Sequence, residues 1–346
     1  MHALLKQWRI RLLHWEYWSF NTIYAPIYFY WFWLSLRARS FFFFNTSNPG
    51  INYGGFLMES KKGIYDLLPK GTYPTTIFCK AGEDVANVTA KLSTLTYPLI
   101  AKPDIGLRGM AVALLHNWEE VLAYHAASRV DYLFQQYIAY QQEVGIFYYR
   151  YPNQPMGVIT GIVYKEFLTV KGDGHSTILQ LLLQNDRYVL QIEALQALYA
   201  QTLQNVLPAG KEKLLVPFGN HCRGTRFIDL SHQNNESLTT VINNICTNVK
   251  GFYFGRLDIK YHNWEDLCQG KNFSIIELNG AGSEPAHIYD SKHSIWFGWK
   301  EIMRHWKILY NISVFNKKKF NLPYLTTSEG LEMLRQNSRQ VKLLSE

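Results

Sequence analysis

The sequence offers no paired cysteine chemistry. Its four cysteines, Cys79, Cys222, Cys246 and Cys268, stand far apart and form no CxxC pair. That spacing fits neither a structural zinc site nor a disulfide framework, so the thiols read as reduced, in a cytosolic compartment. Internal repeats and long polar low-complexity tracts are also missing, which excludes disordered and fibrous designs. Acidic charge is scarce at one end: residues 1–57 hold Glu16 alone against Lys6, Arg9, Arg11, Arg37 and Arg39, about +4 of a formal net charge of +8. No small-residue cleavage site follows the apolar block there, so a cleaved signal peptide is not expected.

What the chain has in abundance is aromatic surface. Five of its ten tryptophans fall between Trp8 and Phe44, bracketed by Arg9 and Arg11 on one side and Arg37 and Arg39 on the other. Tryptophan and tyrosine favour the headgroup layer of a bilayer, and arginine reaches its phosphates. The charge-free run from Ser19 to Leu36 is barely of spanning length and contains Asn21, Thr22 and Pro26. An interfacial or re-entrant anchor on the cytoplasmic side of a membrane, peripheral or monotopic, is therefore expected. The alternative is an aromatic core or oligomer interface. Nucleic acid is not expected as a partner, because basic and aromatic residues do not interleave along a groove. A homodimer is one state the chain allows.

At 346 residues the chain can build more than one core. The Gly/Asn/Pro-rich stretch after Asn45 sets a boundary near residue 57. Four parts are expected: the aromatic segment 1–57, a first lobe 58–140, a second lobe 141–312 and a basic helical tail 313–346. Strands are read at 75–80, Tyr97–Lys102, Tyr132–Ile138, Val144–Tyr149, Phe252–Tyr261 and Phe273–Asn279, with a strand pair across Val158–Val170. Helices are read at about Asp84–Leu95, Trp118–His125, Gln191–Leu203, Leu238–Val249 and His293–Tyr310. Thr326-x-x-Glu329 is a capping box opening a solvated or partner-facing tail helix. The fold class is α+β.

The strongest chemical signal lies between Gly255 and Pro285. Two apolar strands carry Asp258, Glu277 and Asn279, and strand alternation puts Glu277 and Asn279 on one face. Magnesium takes hard oxygen ligands, usually one or two carboxylates with phosphate and water completing the shell. The turn NGAGSEP that follows suits close backbone approach by a ligand. Upstream, Lys102 ends an apolar strand and precedes a loop bearing Gly106 and Gly109, whose N–H groups can cradle phosphates. This is neither a Walker A loop nor a GxGxxG turn. LFQQYIAYQQEVGIFYY (133–149) reads as strand, break and strand, with a backbone free for an adenine edge and Glu143 placed for ribose hydroxyls.

Taken in order from about Lys61 to Asp290, these pieces resemble the ATP-grasp superfamily, specifically the carboxylate–amine ligases related to D-alanine–D-alanine ligase. The stretch ITGIVYKEFLTVKGDGHSTILQLL is similar to one in cyanophycin synthetase. The resemblance implies ATP sandwiched between two α+β lobes, with magnesium, or manganese as an alternative. Lys102 and Lys61 would meet the phosphates, with Lys62 competing for the second place, and Lys165 and Lys171 are further phosphate candidates. Gln136 and Ile138 would offer backbone groups to adenine. Arg256 matches the arginine that stabilises the tetrahedral intermediate. GNHCRGTRFIDL resembles the substrate-side loop, which makes Asn220, Arg223 and Arg226 candidate substrate contacts, with Gly282 in the Gly-rich turn. The implied reaction joins an amino-acid-like or amphiphilic carboxylate to an amine through an acyl phosphate. A non-catalytic nucleotide-binding scaffold and a kinase-type phosphotransferase are the alternatives. The N-terminal lobe of D-alanine–D-alanine ligases has no counterpart here, being replaced by the short aromatic segment, so D-alanine itself is not the expected substrate.

Overall fold

A computed structural model describes residues 2–106, 109–216, 219, 221 and 224–345. Strands β1 (Thr76–Cys79), β2 (Leu99–Pro103), β3 (Ala113–Leu115) and β4 (Tyr132–Gln136) make an antiparallel sheet in the order β1-β4-β2-β3. Period-two alternation divides its two faces. Leu99, Ala101, Tyr132 and Phe134 pack on Val88, Leu92 and Val121 of the helices Val85–Leu92 and Trp118–Ala127. Ile100, Lys102 and Gln135 point the other way and line a cavity. Both helices begin on side-chain caps: Asp84 accepts from the Ala86 N–H, and Asn117 from that of Glu120.

The second lobe is built on β5 (Gln142–Tyr149), β6 (Val158–Glu166), β9 (Arg226–Asp229), β10 (Phe254–Tyr261) and β11 (Phe273–Asn279), antiparallel in the order β11-β10-β5-β6-β9. β7 (Leu168–Lys171) and β8 (Glu212–Val216) form a separate ribbon. The strand pair expected across Val158–Val170 thus exists as two strands in different sheets. Phe167 alone separates them, too little chain for even a two-residue hairpin turn. The core beneath the second sheet holds Val144, Ile146, Leu257, Ile259 and Ile275 against Leu238, Ile242 and Cys246 of the helix Glu236–Asn248.

The N-terminal segment is packed into this lobe. Ile23, Tyr24 and Ile27 are buried with Ile288 and Ile302, and Leu34, Phe43 and Phe44 with Ile308, Leu309 and Ile312. The helix Ile295–Lys319 supplies most of the surface they cover, and it runs past the expected end at Tyr310, so the boundary read at residue 312 falls inside it. Trp31 meets Trp306 edge-on at 5.2 Å, and the Trp299 indole donates to the Ile23 carbonyl at 2.8 Å. A large share of the aromatics is therefore core, the alternative to the anchor. Among the described residues no helix is long and apolar enough to cross a membrane. The tail helix Thr327–Ser345 opens on the expected capping box. It is not a free extension: Met333 is fully buried, a side chain at Gly330 would run into Phe42, and the Gln340 amide donates to the Ile105 carbonyl at 2.8 Å.

Candidate active site

The inner faces of the two sheets enclose a cavity of about 480 Å³. On the first sheet Lys102 projects into it from β2, 7% exposed, and its ammonium donates to Tyr65 Oη (2.8 Å), Gln135 Oε1 (2.9 Å) and the Ile276 carbonyl (3.2 Å). Burial lowers its pKa to about 8 against the pull of Glu277 and Glu143. Lys61 lines the same cavity, its Nζ 3.5 Å from the carbonyls of Asp104 and Gly106. Its neighbour Lys62 turns outward to Asp66, so of the two candidate lysines Lys61 faces the cavity. Gly106 and Gly109 line it too, and Gly109 adopts φ +72°.

On the second sheet the β10–β11 register sets Asp258 opposite Glu277 and Arg256 opposite Asn279, so all four side chains share the cavity face. β5 adds Gly145 opposite Asp258 and Glu143 opposite Lys260. A Cβ at Gly145 would lie 3.1 Å from Asp258 Oδ1 and 2.9 Å from Val163, so glycine there gives the charged cluster its room. Asp258 Oδ1 accepts from Arg256 Nε at 2.8 Å, and Oδ2 is 3.0 Å from Lys165 Nζ, which also donates to Glu143 Oε1 at 2.7 Å. Burial opposes the charges on Asp258 and Lys165, but the attraction of their partners outweighs it: the Asp258 carboxyl is held low and the Lys165 ammonium high.

These contacts test whether a magnesium ion fits. Both Asp258 oxygens are engaged by cations, and among the described residues no group of three His, Cys, Asp or Glu side chains forms a metal cluster. Neither the Glu277 carboxylate nor Asn279 Oδ1 accepts a hydrogen bond among the described residues, while the Asn279 amide nitrogen is buried without an acceptor and would serve an anion, not a metal. Glu277 and Asn279 are thus hard donors with room for a cation, and Asp258 joins them only by releasing an ion pair.

The remaining candidates divide. Gln136 and Ile138 both line the cavity, Ile138 beyond the end of β4, and the Gln136 N–H is committed to the Thr75 carbonyl. Arg226 is half exposed, 3.5 Å from Glu166, and Lys171 is exposed on β7; neither lines the cavity. Gly282 is a packing position, where a Cβ would strike the Phe56 carbonyl at 2.3 Å. Asn220 and Arg223 lie outside the described residues.

Several lining residues carry no sequence signal. Glu59 enters from the connection before the first lobe and accepts from the Gly280 N–H at 3.3 Å; burial beside Glu277 raises its pKa to about 8. Lys260 and Tyr65 could have been found from alternation and helix spacing, once their neighbours were assigned. Trp18, Phe20 and Ile23 come from the aromatic segment, which thereby forms one wall of the cleft. Glu284 was visible in the NGAGSEP turn, where the signal read was close backbone approach by a ligand.

No family model matches the chain, and no curated protein matches it. Among solved structures it is similar to VanG D-Ala:D-Ser ligase from Enterococcus faecalis, at 12% identity and TM-score 0.42, over 72% of this chain and 61% of that one. It is similar also to a bifunctional glutathione synthetase from Pasteurella multocida, at 15% and 0.40, over 75% of this chain and 38% of that one. D-alanine–D-alanine ligase from Bacillus anthracis matches at 14% and 0.43, over 78% and 72%. The chain thus spans 61% of the first of these proteins and 38% of the second. All three are ligases or synthetases by name, the class that the sequence resembles. Their TM-scores lie below 0.5, and the function is read from the residues of the cleft.

Proposed function

We propose that this chain is an ATP-dependent carboxylate–amine ligase of the ATP-grasp type. The observation that carries the reading is Lys102, held buried between the sheets by Tyr65, Gln135 and the Ile276 carbonyl, facing a cavity that Arg256, Glu277 and Asn279 share. A buried cation aimed into such a cleft suits an anionic ligand. ATP lies with its phosphates at Lys102 and Lys61, its adenine at the strand end before Ile138 and its ribose near Glu143. A carboxylate oxygen of the first substrate attacks the γ-phosphorus and ADP leaves, giving an acyl phosphate. The amine nitrogen of the second then attacks the acyl carbon, inorganic phosphate leaves, and the nitrogen loses its proton. Arg256 faces the oxyanion of that step, its guanidinium fixed by Asp258. Glu277 and Asn279 would hold magnesium, with Asp258 once an ion pair opens, and the ion would neutralise charge on the transferring phosphoryl group.

The test is product analysis with purified protein, ATP, magnesium and panels of carboxylates and amines. ADP and phosphate released together with an amide support the reading. AMP and pyrophosphate refute the acyl-phosphate route, a stable phosphorylated product favours phosphotransfer, and nucleotide bound without turnover favours a scaffold.

We also propose that the chain works at the cytoplasmic surface of a membrane. Phe29 (67% exposed), Phe32 (55%), Trp33 (46%) and Leu36 (76%) form one outward stripe of the helix Tyr28–Ala38, beside Arg37 and Arg39. Apolar residues flanked by basic ones suit an anionic interface. Co-sedimentation with vesicles containing phosphatidylserine, weakened by Phe29→Ser with Leu36→Ser, supports this; equal recovery without vesicles overturns it.

A further inference from the structure

The cleft continues past Arg256 to the wall made by the aromatic segment. Trp18, Phe20 and Ile23 line the cavity together with Phe227 and Tyr289, and Trp18, Ile23 and Tyr289 share one packed cluster. Phe20 is stacked on Tyr24 with ring centroids 4.2 Å apart, so its ring is held in place although it is 42% exposed. An apolar surface of this kind lining a cleft takes the apolar part of a ligand.

One carboxylate stands at the junction between this wall and the reacting end. Glu284 follows the Gly-rich turn after β11, and its backbone carbonyl lies 3.5 Å from Arg256 Nη1. The hydroxyls of Tyr24 and Tyr289 both donate to its Oε1. Its Oε2 has no donor among the described residues. Tyr24 is buried at 4% exposure in the cluster that docks the N-terminal segment, so that segment both builds the wall and orients the carboxylate. Of the other acids lining this end, Glu16 also keeps an oxygen without a hydrogen bond but is neutralised by an arginine, 2.9 Å from Arg187 Nη2, and Glu59 accepts from the Gly280 backbone N–H. A carboxylate with one unengaged oxygen beside apolar rings accepts an ammonium and repels a second carboxylate.

Building on the ligase reading, we propose that the attacking substrate is a primary amine with an apolar side chain, its ammonium received at Glu284, which takes one proton so that the neutral nitrogen attacks, and its side chain laid on Trp18, Phe20 and Ile23. The N-terminal segment is then a specificity element that selects the amine.

The experiment is calorimetry on the full chain with magnesium and a non-hydrolysable ATP analogue, using three probes: 2-phenylethylamine, ethylamine and 3-phenylpropionate. Binding of the analogue is measured first. 2-Phenylethylamine should bind at least about tenfold more tightly than ethylamine, the worth of burying most of a phenyl ring, and more tightly than 3-phenylpropionate. Phe20→Ala should weaken 2-phenylethylamine about tenfold and leave the analogue's dissociation constant unchanged. Glu284→Gln, which keeps an acceptor for both tyrosines, should abolish the preference for amine over carboxylate. Equal binding of the two amines, tighter binding of 3-phenylpropionate, or no binding of 2-phenylethylamine to an analogue-loaded protein overturns the inference and leaves the nucleotide reading intact. Failure of the analogue itself to bind overturns the ligase reading first.

Discussion

Lys102→Met should make the protein more stable and unable to bind ATP, opposite effects from one side chain. The lysine is 7% exposed and its pKa in the fold is about 8, against 10.5 in an unconstrained chain. At about 1.4 kcal/mol per pH unit, holding the ammonium in this site costs about 3 kcal/mol at neutral pH. Methionine fills a similar volume and has no charge to desolvate. The variant loses three hydrogen bonds, but Tyr65 Oη still donates to the Ile276 carbonyl, so Gln135 Oε1 is the acceptor left without its donor. That loss costs about 1 kcal/mol. The net expectation is a gain of about 2 kcal/mol at pH 7, measured from urea unfolding midpoints. The sign of the pH dependence follows from the depressed pKa. Between about 8 and 10.5 the unfolded chain holds the proton that the folded one has released, so wild-type stability rises with pH across that window relative to the variant. The variant's advantage should therefore shrink from pH 7 to pH 10.5. A Lys102→Met protein that is less stable at pH 7, with a difference that does not change with pH, would refute the reasoning.

Three further outcomes are expected. Arg187→Leu leaves Glu16, 7% exposed, without its arginine and should cost about 3 to 5 kcal/mol at pH 7. Burial works against the Glu16 charge, but His221 and Arg187 hold its pKa below 4.5; the pair's contribution is full above that value and lost as pH falls through the folded pKa, so the gap between variant and wild type should narrow in acid unfolding curves. Gly161→Ala would bring a Cβ within 2.1 Å of the buried His287 ring, and overpacking there should lower the urea midpoint by the equivalent of about 1 to 3 kcal/mol; a variant as stable as wild type would show that the ring can move aside. Gln340→Ala removes the tail helix's hydrogen bond to the Ile105 carbonyl, worth about 1 kcal/mol, and should raise hydrogen exchange around residues 104–106 without changing exchange in β10.

The β10–β11 hairpin was legible because two long apolar strands alternate with polar residues. The period assigns Glu277 and Asn279 to one face, and the pairing register adds Asp258 to it. Lys102 was legible for the same reason. β3, β8 and β9 were not: Ala113–Leu115 is only three residues long, and neither EKLLV nor RFID alternates apolar with polar residues. Engagement of side chains was equally hidden. Nothing local to Asp258 says that Lys165, from a strand two places away in the sheet, would take one of its oxygens. Glu59 and Glu284 acquire meaning only through partners far along the chain, Gly280 for one and Tyr24 for the other.

The N-terminal segment shows why composition could not choose between an anchor and a core. The helix Tyr28–Ala38 is apolar nearly all round, so no polar face marks which side turns inward. It uses both: Leu34 is buried against the helix Ile295–Lys319, while Phe29, Phe32 and Leu36 stay exposed. The lone acid, Glu16, entered the sequence reading only as a count against five basic residues, and it is a buried partner of Arg187. A segment fixed this way can serve two surfaces at once. Its outer stripe is free for an interface, and its inner residues reach the cleft through Trp18, Phe20 and Ile23. If both surfaces are used, the same segment joins the bilayer surface to the wall that receives the amine. Loss of vesicle binding should then lower turnover of a membrane-embedded amine and leave that of a water-soluble one unchanged.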